Sequence, residues 1–128
     1  MRNLTKWLLA CLIPMINAGY ASVSEEPGSS RAWIEVSESA GMLQVSPYAV
    51  VADHDAELRY SMTSEKQGPA GRSNSTQSGK VRVNKAKARQ LASLGFGLHE
   101  GDHYRFTLEL YEVDRLVARQ VLEYPEAQ

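Results

Sequence analysis

The sequence predicts an all-β fold, and three observations carry that prediction. Ala56 to Thr63 and Tyr104 to Leu110 each alternate apolar and polar residues without a break. A helix would scatter those residues around its circumference, whereas a strand puts each set on one face. Turn-forming residues divide the rest of the chain into short apolar runs, and no long segment has helical periodicity.

The chain has 128 residues, a single-domain length. Its start has the three parts of a secretory signal. Arg2 and Lys6 give a positive end, Trp7 to Ile16 is an apolar run broken only by Pro14, and Gly19-Tyr20-Ala21 offers small residues for cleavage. Residues 1–21 are therefore expected to be a cleaved signal peptide. The run is well short of the ~20 residues that span a bilayer, so no stable membrane anchor is expected. Leu8-Leu9-Ala10-Cys11 resembles a lipoprotein box, but only four residues separate Lys6 from the cysteine and the apolar run continues beyond it. Cys11 reads as another apolar residue of the signal, with lipidation as the lesser alternative. Residues 22–31 are polar and small and are expected to form a flexible leader, leaving 32–125 as the folded domain.

Within that domain, Ile34 and Val36 mark a first strand. Leu43, Val45 and Ala49 share one parity of a second, where Pro47 suggests a bend or an edge position. The alternating segment at 56–63 follows. Residues 64–79, rich in Ser and Gly, read as a long turn-rich segment, and Lys80 to Val83 as a short strand. Lys85 to Ala92 has the propensity of a short helix. Leu94, Phe96 and Leu98 alternate with glycines as a strand does. The last pair, 104–110 and Leu116 to Tyr124, is expected to turn near Asp114-Arg115. About seven strands with turns between them favour an immunoglobulin-like β-sandwich, with a small closed barrel as the alternative.

Composition excludes several functions. The whole chain carries a net charge of −1, and losing Arg2 and Lys6 with the signal takes this to −3, so nothing draws the molecule as a whole to nucleic acid. Cys11 is the single cysteine, so the mature chain has no thiol chemistry and uses no disulfide. No glycine-rich loop joins a strand to a helix, and no cofactor is expected.

His99-Glu100-Gly101-Asp102-His103 is a literal H-E-x-x-H, the spacing that a zinc peptidase places on a helix. Gly101 lies inside it and a strand begins at Tyr104, so a turn fits better. Asp53-His54-Asp55 lacks a nucleophile and reads as an exposed loop. The protein is expected not to be an enzyme. Lys80, Arg82, Lys85, Lys87 and Arg89 form a basic run, either a solvated strand edge or a contact for an acidic partner. The polar parity of the two best strands carries Glu57, Arg59 and Ser61, then Arg105, Thr107 and Glu109. If those strands are neighbours, they make one mixed-charge face.

Several short motifs also occur in a telling order. They are Leu58-Arg59-Tyr60-Ser61-Met62, Gly71-Arg72-Ser73, Thr76-Gln77-Ser78-Gly79-Lys80, Gly101-Asp102, Phe106 to Leu110, a turn near Asp114, and Tyr124-Pro125. In these the chain resembles the CsgC/CsgH family of curli assembly proteins, over roughly residues 32 to 125, with the CsgH branch the nearer. The resemblance implies an immunoglobulin-like sandwich in the periplasm. It further implies a chaperone that binds curli-type amyloid subunits, major or minor, and inhibits fibril formation before export, acting as a monomer. Some CsgC members carry Cys-x-Cys where this chain has Ala56-Glu57-Leu58, so any thiol role is absent here. Two routes are open to such a chaperone, a strand edge or a charged face. The face is preferred, and the expected partner-binding residues are Glu57, Arg59, Arg105 and Glu109, with Arg72 and Gln77 in the glycine-flanked motif. The rival reading is an exported adhesion module for carbohydrate, a pilus subunit or another envelope protein.

Overall fold

A computed structural model describes residues 29–126. The expected signal peptide and all of the expected leader except its last three residues lie outside the described residues. Among the described residues eight strands form two sheets: β1 (Ser30–Ser39), β2 (Met42–Val51), β3 (Ala56–Gly68), β4 (Gly71–Val83), β5 (Arg89–Gln90), β6 (Leu94–Gly97), β7 (His103–Glu112) and β8 (Arg115–Tyr124). Strand β1 thus takes up Ser30 and Arg31, which the sequence assigns to the leader.

The smaller sheet has β2 at its centre, with β1 on one side and the short β5 and β6 on the other. The larger sheet runs β4-β3-β7-β8, every pair antiparallel. Their inner faces meet in one core. Leu43, Val45, Ala49 and Val51 from β2 are fully buried against Phe106, Leu108 and Leu110 from β7. Phe106 stacks on Tyr104 at 5.5 Å, and Phe96 tilts against both rings at 5.4 Å. The Tyr104 hydroxyl donates to the Gly97 carbonyl at 2.7 Å, which satisfies the polar end of a ring 3% exposed.

Pro47 is neither at an edge nor at a bend. It is buried in the interior of β2, paired with Ile34 of β1. On its other side β6 pairs with β2 only up to Val45, and β5 begins at Tyr48. Pro47 accepts the Leu91 N–H on that side at 2.8 Å. Its missing N–H therefore falls in the gap between two short neighbours, where no ladder bond is lost.

The segment 64–79 is not a loop. β3 and β4 pair without a register break from Ala56↔Val83 to Gly68↔Gly71, so only Pro69 and Ala70 form the turn. The helix option at 85–92 also fails. Asp55 accepts the Lys85 N–H at 2.7 Å, Ala86 takes a positive φ of 62° and donates to the Val51 carbonyl, and Leu91 drops into the core. This stretch must carry the chain from the larger sheet to the smaller one, and those anchors outweigh weak helix propensity. The last hairpin turns one residue earlier than expected, at Val113 and Asp114, both with positive φ (48° and 62°), the backbone of a type I′ hairpin turn.

Candidate functional site: the outer face of the larger sheet

The two strands with the clearest alternation are neighbours, with Ser61 opposite Glu109 and Thr63 opposite Thr107. Their polar residues share one outward face, and the register extends it across four strands. One end holds Arg72, Gln67 and His103, then Asn74, Glu65, Arg105 and Glu123. The middle row is Thr76, Thr63, Thr107 and Val121, uncharged throughout. The other end holds Ser78, Ser61, Glu109 and Arg119, then Lys80, Arg59 and Tyr111, and finally Arg82 opposite Glu57.

This map divides the expected site. Arg59 faces Tyr111, whereas Arg105 faces Glu65 six residues further along β7. At the rise of a strand that is about 20 Å, so the two arginines belong to separate clusters. At its end Arg105 lies 3.3 Å from Glu123, which His103 also approaches at 3.4 Å. At the opposite end Glu109 is already engaged, accepting the Tyr111 hydroxyl at 2.9 Å and lying 3.3 Å from Arg119. That hydroxyl bond holds the Tyr111 pKa above its ordinary value.

Arg59 differs from Arg105. Its guanidinium lies over the Tyr111 ring at 4.4 Å, and no carboxylate pairs with it among the described residues. Lys80 stands directly opposite it across the strands. Two like charges in such a pair are destabilising, and neither Lys80 nor Arg82 has an ion-pair partner among the described residues. Arg59, Lys80 and Arg82 thus form an exposed cationic row. Glu57 lies beside it, and Arg72 lies on the same face at the far end. Gln77 does not join them. It pairs with Met62, so it occupies the inward parity of β4, where the strand runs past the core and leaves it exposed. Sequence reasoning does not single out Tyr111 or Arg119. Tyr111 continues the outward parity of β7 beyond Glu109, whereas Arg119 is placed only by the pairing of β8.

The H-E-x-x-H residues form a turn, Gly101 with φ 89°. The Asp102 carboxylate is 3% exposed, accepts the His99 N–H at 2.9 Å and lies 3.6 Å from the Lys66 ammonium. That backbone bond and the Lys66 charge hold its pKa below the ordinary value. His103 reaches instead to Glu123. In the other acidic cluster His54 bridges Asp53 at 2.8 Å and Glu112 at 3.0 Å. Those bonds raise its pKa and fasten the β2–β3 loop to the end of β7.

The architecture is a two-sheet antiparallel sandwich whose larger sheet carries charged clusters at both ends of its outer face. Its fold is that of two solved curli proteins. Escherichia coli CsgC superposes with a TM-score of 0.61 at 15% identity, covering 76% of this chain and 99% of that one. Rhodopseudomonas palustris CsgH does so with a TM-score of 0.58 at 16% identity, covering 70% and 87%. No protein-family model and no curated protein matches the sequence.

Proposed function

We propose that this protein is a periplasmic, monomeric, non-catalytic chaperone that binds curli-type amyloid subunits and delays their assembly into fibrils. The observation that carries this reading is the cationic row of Arg59, Lys80 and Arg82, without ion-pair partners among the described residues, on a sheet whose fold is shared with curli proteins. An exposed cluster of like charge makes weak, fast contacts with acidic stretches of a disordered chain and needs no fixed register. Such contacts suit early oligomers, whose open strand edges template each further addition.

The test is dye-reported fibril formation by a curli major subunit, with the mature protein added well below equimolar. A lengthened lag supports the reading, and unchanged kinetics with folded protein refutes it. Because the register separates the two arginines, Arg59→Glu and Arg105→Glu are compared singly. Arg59→Glu is expected to shorten the lag towards that of the subunit alone, whereas Arg105→Glu, already paired with Glu123, has the smaller effect.

One observation favours the adhesion reading. Trp33 and Tyr48 stack in register at 5.4 Å on the outer face of the smaller sheet, beside Glu35 and Ser46. Trp33 is the only tryptophan after Trp7, so its fluorescence reports this face directly. A glycan that shifts the emission while the fibril lag is unchanged would transfer the assignment to that module.

A further inference from the structure

We infer that the free edge of β4 is a second binding site, for an extended, uncharged polar peptide segment flanked by acidic residues. β4 lies at the end of the larger sheet and pairs with β3 alone among the described residues. A two-residue loop closes on a doubly hydrogen-bonded pair, here Gly68↔Gly71, and bonded pairs then alternate along the ladder. The odd residues of β4 from Ser73 to Val83 are therefore bonded to β3. Arg72, Asn74, Thr76, Ser78 and Lys80 turn both N–H and C=O to the open edge. Arg82 has the same parity, and its carbonyl is taken by the Arg89 guanidinium at 3.3 Å, which ends the open stretch.

Proteins usually blunt such an edge with charge, proline, a bulge or a cover. The opposite edge of this sheet is blunted. β8 has a register shift against β7, carries Arg115, Arg119 and Glu123, and bonds to β1 through the Tyr124 hydroxyl and Glu38. β4 has none of these from Ser73 to Gly79: seven uncharged residues, no proline and an unbroken ladder.

The charges at the two ends select the occupant. Arg72 and Lys80 are eight residues apart on one face and bracket the neutral stretch. A second copy of this chain pairing antiparallel over the whole stretch would set Arg72 of one copy against Lys80 or Arg82 of the other, which like-charge repulsion opposes. A strand with acidic residues at matching spacing meets both cations, and a Ser, Thr, Asn or Gln centre continues the side-chain ladders of β4. The inference shares Lys80 with the cationic row but does not rest on the curli reading, because the site is the backbone edge of β4 and the probe is a synthetic peptide.

The probe is a peptide with two glutamates eight residues apart around a Ser/Thr/Asn/Gln centre, titrated into the isotope-labelled mature protein. The expected result is that the amides of Asn74, Thr76 and Ser78 shift and exchange more slowly, while those of β1 do not. Ser78→Pro removes an edge-facing N–H and leaves the β3 ladder whole, so it keeps the amide spectrum of β7 and loses at least tenfold in affinity. Arg72→Glu with Lys80→Glu is expected to reject this peptide and accept the one with lysines in place of glutamates. Shifts confined to β7 and β8, binding indifferent to Ser78→Pro, or no binding would overturn the inference. So would concentration-dependent shifts of the same amides without peptide, which would make a second copy the occupant.

Discussion

At its base the β3–β4 hairpin buries Ala56, Leu58, Tyr60 and Met62 on one face and closes with Val83. At its tip, from Glu65 to Asn74, no large apolar side chain occurs and nearly every residue of β4 is exposed. The two halves have the same backbone pairing and opposite surroundings. The change falls at Ser64, the last buried residue of β3. The next inward residue, Lys66, spans the Tyr104 ring with its ammonium 5.9 Å from the ring centre and points to Asp102. Burial holds the base. The tip is held by its ladder with β3, by β7 behind it as far as Gln67↔His103, and by the Gly101-Asp102 turn packed under Gly68 and Pro69.

That difference explains what the sequence made legible. Alternation at 56–63 and 104–110 is the imprint of a core on one face, so those strands, their adjacency and the outward charges could all be read. From Glu65 onward there is no core to leave an imprint, and a paired polar ribbon has the composition of a loop. The same cause limited the site. Parity placed Arg59 and Arg105 on one face correctly, but only the register places them at opposite ends of it. Gln77 lies in a segment whose composition reads as a turn, where parity has no meaning.

The largest test of the comparison is Met62→Ala at the base. It is expected to lower unfolding free energy by about 2–5 kcal/mol, read from the denaturant midpoint, whereas Asn74→Ala at the tip stays within about 0.5 kcal/mol. Near the turn two glycines should separate packing from backbone strain. A Cβ at Gly68 would collide with the Asp102 carboxylate, so Gly68→Ala is expected to cost about 1–3 kcal/mol and to disturb the shifts of Asp102. Gly71 has open space but a φ of 121°, so Gly71→Ala costs about 1–3 kcal/mol through strain alone and leaves Asp102 in place.

Smaller effects come from pH. The folded pKa of Asp102 lies below its ordinary 3.8, so its contribution is present above that value and is lost as pH falls through the folded one. Asp102→Asn should flatten the acid limb of a stability-versus-pH curve. His54 has the opposite sign. Its folded pKa lies above the ordinary 6.5, so its contribution is complete below 6.5 and disappears as pH rises through the folded value. His54→Ala should remove only that neutral-side slope.

The most direct measurement is residue-resolved amide hydrogen exchange along β4. A ribbon with one open edge predicts alternation: slow exchange at Ser73, Ser75 and Gln77, fast exchange at Asn74, Thr76 and Ser78. Uniformly fast exchange across 71–79 would restore the loop that the sequence suggests, and uniformly slow exchange would mean that the edge is already covered.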